Sequence, residues 1–135
     1  MFTTELCLKV LGTQAYEVVE PLVWNDNLSI IQVNPKFDFD GASVPQALWS
    51  FGLSPMAGGY QRSACLHDAL YASEYFERHI CDLYFLYAME SEGVSYFKRY
   101  SMYYAVRAFG GQVWKEHTKE EVNAYRKFIT HLSLV

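Results

Sequence analysis

The stretch GYQRSACLHDALYASEYFERHICDLYFLYAME, residues 59–90, decides how the rest of the chain is read. It holds no proline and, after Gly59, no glycine, so helix can run through most of it. Two segments stand out, Cys65-Leu66-His67-Asp68-Ala69-Leu70-Tyr71 and Ile80-Cys81-Asp82-Leu83-Tyr84-Phe85. If they form an antiparallel hairpin turning near Glu74, His67 and Asp82 lie equally far from the turn, because their numbers average 74.5. They then face each other across it. Tyr71, four residues after His67, shares its helix face and reaches the same carboxylate. A single continuous helix would instead hold His67 and Asp82 about 22 Å apart, at 1.5 Å of rise per residue. The turn itself, Ala72-Ser73-Glu74-Tyr75, has neither glycine nor proline. The signal for a break is Ser73 as an N-cap, with Glu74 and Glu77 in the first turn after it.

Before this stretch the pattern is β. Glu5–Val10, Ala15–Trp24 and Leu28–Val33 are rich in Val, Ile and aromatics, with Gly12-Thr13 and Asn25-Asp26-Asn27 between them as turns. Three short antiparallel strands are expected. In Asn34 to Pro45 the two prolines exclude a continuous helix and Gly41 permits unusual backbone, which predicts a structured loop. Ser43 is placed to cap a short helix over Pro45–Trp49, stopped by Gly52, Pro55 and Gly58-Gly59. Beyond the stretch, Gly93 and Gly110-Gly111 divide the remainder. Helices are expected over Gln61–Ala72, Glu74–Glu90, Ser95–Phe109 and after Thr118, where Thr118-x-x-Glu121 makes a capping box. Strands first and helices afterwards is the α+β pattern. The reading is one domain, 1–135, with strands and a structured loop over 1–45 and a helical portion over 46–135 carrying the His/Asp helix hairpin.

Composition narrows the function classes. The chain has 135 residues, a formal charge of -4 and a pI near 5.5, so there is no electrostatic footprint for nucleic acid. The start, MFTTELCLKV, carries Glu5 where a secretory signal needs a basic start and a longer apolar core, and no run suffices for a transmembrane helix. The expected location is a cytoplasm, or a particle packed from it. Cys7, Cys65 and Cys81 are an odd count without CxxC spacing, read as small buried hydrophobes. His79, His117 and His131 form no ligand set and are read as surface residues. The aromatic run from Tyr96 to Val106 is apolar around most of its circumference, which predicts either a central buried helix or a partner-binding face.

The chemistry falls to His67. An imidazole with one nitrogen held by a carboxylate keeps the other as a general base for water. Asp68, about 100° around the helix from His67, is placed to bind a cation or cap a loop without competing for Asp82. The ordinary alternative is a buried histidine and an acid bonded to Tyr71 or Arg62, locking the hairpin. Serine-hydrolase elbows, phosphate loops and HExxH motifs are absent from the sequence. Zinc is the weaker metal candidate, since it needs at least three ligands and only His67, Asp68 and Asp82 cluster.

The course of the chain through the strands, FDFDGASVP (37–45), GGYQRSACLHDALY (58–71), CDLYF (81–85) and YYAVRAFGG (103–111) resembles a phage- and prophage-associated family known only as a domain of unknown function, DUF1353. That resemblance implies a viral or prophage origin, and so a bacterial host cytoplasm or a phage virion as the location, but it assigns no activity. Locally, HDALY followed by CDLYF is similar to the paired helices of phospholipase A2 enzymes. By that similarity His67 is the base for water, Asp82 the orienting carboxylate, Tyr71 its hydrogen-bond partner and Asp68 a calcium ligand, with Asp40 of FDFDG a further candidate. The similarity covers these two helices alone; the glycine- and cysteine-rich calcium loop and the disulfides of the secreted enzymes have no counterpart. Two functions follow. One is a hydrolase of an ester or lipid-like substrate, aided by calcium. The other is a non-catalytic phage accessory or virion protein that binds a phage or host protein through its aromatic helix.

Overall fold

The structure, a computed structural model, describes residues 1–40, 46 and 59–135. The N-terminal part forms more and shorter strands than the three expected. They are β1 (Leu8–Gly12), β2 (Ala15–Val18), β3 (Leu22–Asn25), β4 (Ser29–Val33) and β5 (Asp38–Phe39). The run Ala15–Trp24 is cut because Pro21 has no amide to donate to a ladder. Thr4 pins the break, its hydroxyl donating to Pro21 O at 3.0 Å and accepting from Val23 N at 2.9 Å. The Asn25-Asp26-Asn27 turn is as read: Asp26 Oδ1 accepts the amides of Leu28 and Ser29, and Asn27 sits at φ 70°.

With β6 (Ile129–Ser133) near the C-terminus, the described strands make two antiparallel sheets, β1-β2-β5 and β3-β4-β6. This last strand pairs with β4 in the register Ile31 to His131 and is absent from the sequence reading, which carried helix to the C-terminus. Alternation positions the core. Leu22 and Trp24 of β3, and Ile31 and Val33 of β4, point inward against Leu66, Ala69 and Leu70 of the first long helix. The architecture is α+β, and the predicted helix over Pro45–Trp49 with its Ser43 cap lies outside the described residues.

The helices are α1 (Gln61–Ser73), α2 (Arg78–Ser91), α3 (Tyr96–Lys115) and α4 (Lys119–Tyr125), followed by a 3₁₀ turn at Arg126–Phe128. The break between α1 and α2 falls where it was expected, for a different reason. Ser73 is the last residue of α1, and its hydroxyl bonds back to Ala69 O at 2.8 Å instead of capping α2. The chain turns because Glu74 adopts the left-handed region, φ 42° and ψ 44°. Its amide returns to Tyr71 O and that of Tyr75 to Leu70 O, the bonding of a Schellman motif with a glutamate in glycine's usual place. Gly93, at φ 79°, closes the end of α2 as read. Thr118 caps α4 by accepting from Glu121 N at 3.1 Å.

α3 corrects a further expectation. Gly110-Gly111 do not end the helix, which runs on to Lys115 although each interior glycine costs about 0.5–1 kcal/mol relative to alanine. Nor is α3 a central buried helix. Met102, Ala105, Val106 and Gly110 are buried, while Tyr96, Phe97, Tyr104 and Phe109 are exposed. Met102 and Val106 join Tyr60, Ala64, Phe85, Met89 and Val94 in a second cluster, where α1, α2 and α3 meet.

Candidate functional site

The hairpin brings His67 and Asp82 together in the interior, each with no exposed surface. His67 Nε2 lies 2.8 Å from Asp82 Oδ1. An ionised carboxylate only accepts, so Nε2 carries the hydrogen, and a neutral ring then has its lone pair at Nδ1. Tyr71 OH donates to the same Oδ1 at 2.7 Å. Phe85 stacks on the imidazole, centroid to centroid 4.5 Å and 21° between planes, and the Tyr71 ring lies 4.3 Å away on another side.

The third helix supplies what the sequence reading lacked. Arg107 Nη1 donates to Asp82 Oδ2 at 2.7 Å, and Arg78, one turn before Asp82 on α2, brings Nη1 to 3.6 Å from it. Arg78 also donates to the α3 carbonyls of Val106 and Arg107 and to Tyr71 OH. Arg62, named as a possible partner of Asp82, instead pairs with Glu92 at 3.0 Å. The only available signal for Arg107 was the general one that a buried carboxylate needs a cation; nothing in local spacing singled it out.

Electrostatics follow from these contacts. Burial alone would raise the Asp82 carboxyl, but the hydrogen bonds from His67, Tyr71 and Arg107 outweigh it and hold it below its ordinary value. Burial, helped by the bond to Asp82, pushes the Tyr71 hydroxyl well above its usual range, which keeps it a donor. Cys81 is pushed up to about 12, chiefly by burial, and Cys65 rises for the same reason. Both are inert buried thiols, as read. Cys7 is exposed and is not a core residue.

A cleft of about 410 Å³ opens beside α1. Asp68 and Tyr71 border it from α1, Asp38 and Asp40 from β5 and the residue after it, and His117, Glu121 and Tyr125 from the far side. Asp40 and Asp68 therefore border one cleft, and Tyr71 joins that cleft to the buried pair. His67 and Asp82 are not among the described residues that line it. Among the described residues no group of three or more His, Cys, Asp or Glu is close enough to hold a metal, so zinc finds no ligand set there. His79 is a surface residue, paired with Glu77 at 3.5 Å. His117 and His131 are half-buried, the latter edge-on to Tyr75 and Phe76, which corrects their reading as surface groups. Among the described residues no helix is long and apolar enough to cross a membrane.

A family model described as a protein of unknown function, DUF1353, matches residues 16–106. The chain belongs to the DUF1353 family. It is also 35% identical over 80 residues to the uncharacterized protein y4jT of Sinorhizobium fredii, an alignment covering 59% of this chain and 24% of that protein. The chain thus spans about a quarter of the length of this relative. No solved structure matches it significantly. The DUF1353 match takes in α1, α2 and the first half of α3, including His67, Asp68, Tyr71 and Asp82, and stops one residue before Arg107.

Proposed function

We propose that this DUF1353 domain is a hydrolase, encoded by a phage or prophage, in which His67 takes a proton from water attacking an ester or lipid-like substrate held in the adjoining cleft. The observation that carries the proposal is the 2.8 Å contact between His67 Nε2 and Asp82 Oδ1, with Tyr71 on the same oxygen. Asp82 fixes the tautomer and the ring plane and stabilises the imidazolium that forms as water is deprotonated; the proton then passes to the leaving alcohol. Arg107 and Arg78 keep Asp82 ionised and immobile. The two-helix similarity to phospholipase A2 assigns the same roles to the same positions. His67 has no exposed surface, so turnover requires a movement that opens a path between the ring and the cleft. The apolar walls of the cleft, with Leu11, Phe37, Phe39 and Val113, suit the acyl part of such a substrate. The deciding experiment compares the wild type with His67→Gln on nitrophenyl esters and phospholipid vesicles.

Calcium belongs to the same proposal as an aid to Asp68. Ca²⁺ takes six to eight oxygens, including backbone carbonyls and water, so Asp40 and Asp68 would supply only part of its shell. The described residues give no fuller set, and no step above is routed through a metal. Where calcium binds the native fold, it stabilises by about 2.7 kcal/mol at 100 times Kd. Thermal melts with and without millimolar Ca²⁺ should therefore show an upward shift for the wild type and a smaller one for Asp68→Asn. Identical melts in all four conditions would remove calcium from the proposal.

The exposed aromatic face of α3 favours a second reading, a non-catalytic phage accessory or virion protein that binds a protein partner. Tyr96 is 69% exposed, Phe97 82% and Tyr104 63%, and their spacing of seven and eight residues puts them on one side of the helix. Under that reading the buried pair serves as a lock between helices. Wild-type protein that shows no turnover, with biological activity lost on Phe97→Ser or Tyr104→Ser, would favour it.

A further inference from the structure

The glycine pair Gly110-Gly111 sits inside α3, where glycine is a poor helix former. The two positions are not equivalent. A Cβ at Gly110 would lie 2.6 Å from the Tyr71 hydroxyl, 3.3 Å from Tyr71 Cε2 and 3.4 Å from Arg78 Nη1, whereas at Gly111 the nearest atom is Arg78 Cζ at 3.8 Å. Alanine therefore fits at 111 and collides at 110.

Tyr71 has little room to withdraw. It is 2% exposed, its hydroxyl donates to Asp82 Oδ1, and its ring is held between His67 and Trp114, 4.3 and 5.1 Å away. Arg107 stands three residues before Gly110, on the same face of α3, and holds the other oxygen of Asp82. A methyl at 110 would thus move either Tyr71 away from Oδ1 or α3, with Arg107, away from Oδ2.

We propose that Gly110 is a positioning residue for the His67–Asp82 pair, its bare Cα letting α3 approach closely enough for Tyr71 and Arg107 to hold both oxygens of Asp82 at once. The inference rests on reading that pair as the chemical centre. It makes the centre a product of three helices and not of the hairpin alone. Gly110 and Arg107 both lie beyond the 16–106 segment matched to the family, so that segment does not contain the whole of the constellation.

Four variants test it, Gly110→Ala, Gly111→Ala, Tyr71→Phe and the Tyr71→Phe/Gly110→Ala double variant. Each is read by thermal melting and by the ring nitrogen resonances of His67 in ¹⁵N-histidine-labelled protein. Gly110→Ala is expected to lower Tm by roughly 5–10 °C, the scale of an overpacked interior site, and to shift the His67 ring resonances. Gly111→Ala should leave both in place or raise Tm. In the Tyr71→Phe background, which removes the oxygen that the new methyl meets, the loss from Gly110→Ala should fall by more than half; this comparison also serves if Gly110→Ala alone does not fold. Equal melting of the two alanine variants with unshifted His67 resonances would overturn the proposal, as would an undiminished loss in the Tyr71→Phe background. None of these readouts is turnover. A failure to detect hydrolysis counts against the hydrolase reading and leaves the positioning test intact.

Discussion

Asp82→Ala is expected to destabilise the fold by about 3–5 kcal/mol, the usual effect of removing one side of a buried ionic group. Three donors converge on its carboxylate, His67 Nε2 at 2.8 Å and Tyr71 OH and Arg107 Nη1 each at 2.7 Å. They come from α1 and α3, whereas Asp82 stands on α2. Removing it leaves the buried His67 and Tyr71 as donors without an acceptor, in a space where water does not reach Asp82 or His67, and takes the counter-charge from Arg107, whose side chain is 32% exposed. Asp82→Asn keeps one oxygen and the side-chain volume, so its loss should be smaller. Urea titration at neutral pH measures both, as a change in midpoint at constant slope. A loss under 1 kcal/mol for Asp82→Ala would show that the three helices are held together by other contacts.

The same network sets an acid limit. The Asp82 carboxyl is held below its ordinary value of 3.8, so the unfolded chain takes up a proton there before the native protein does. Its contribution is complete above that value and is lost as pH falls below about 4 through the lower native value. Wild-type stability should therefore fall more steeply than that of Asp82→Asn over this acid window, and parallel curves would contradict the assignment.

The hairpin was legible because two numbers carried it, the equal distances of His67 and Asp82 from Glu74. That argument needs a turn and not a particular turn chemistry, so it survived the misreading of Ser73. The left-handed Glu74 could not be foreseen, because glutamate has no intrinsic preference for that region and tertiary packing imposes it. The strands were legible as β segments but not as two sheets, since partner choice between β2 with β5 and β4 with β6 depends on contacts distant along the chain. Arg107 was missed for the same reason. It acts on Asp82 from 25 residues away, and no periodicity links them. Gly110 was seen and misread, because a glycine marks equally well a break or a close approach. Only the position of Tyr71 decides between these.

His67→Gln carries the largest expected effect on activity. The amide of glutamine keeps a donor for Asp82 but cannot accept a proton from water at neutral pH, so the substitution separates the base from the hydrogen bond. If the pair is catalytic, kcat should fall about 10²–10⁴-fold, the contribution of a positioned general base, while KM changes little because the cleft residues are intact. Thermal melting must be followed alongside, since the ring also fills the space between Phe85 and Tyr71. A Tm close to the wild type's with turnover lost marks His67 as the base. A lowered Tm with specific activity per folded molecule unchanged marks the pair as a lock between helices, and the exposed face of α3 then becomes the functional surface. The two outcomes do not overlap, because a lock acts on the folded fraction and a base acts on the rate at which each folded molecule turns over.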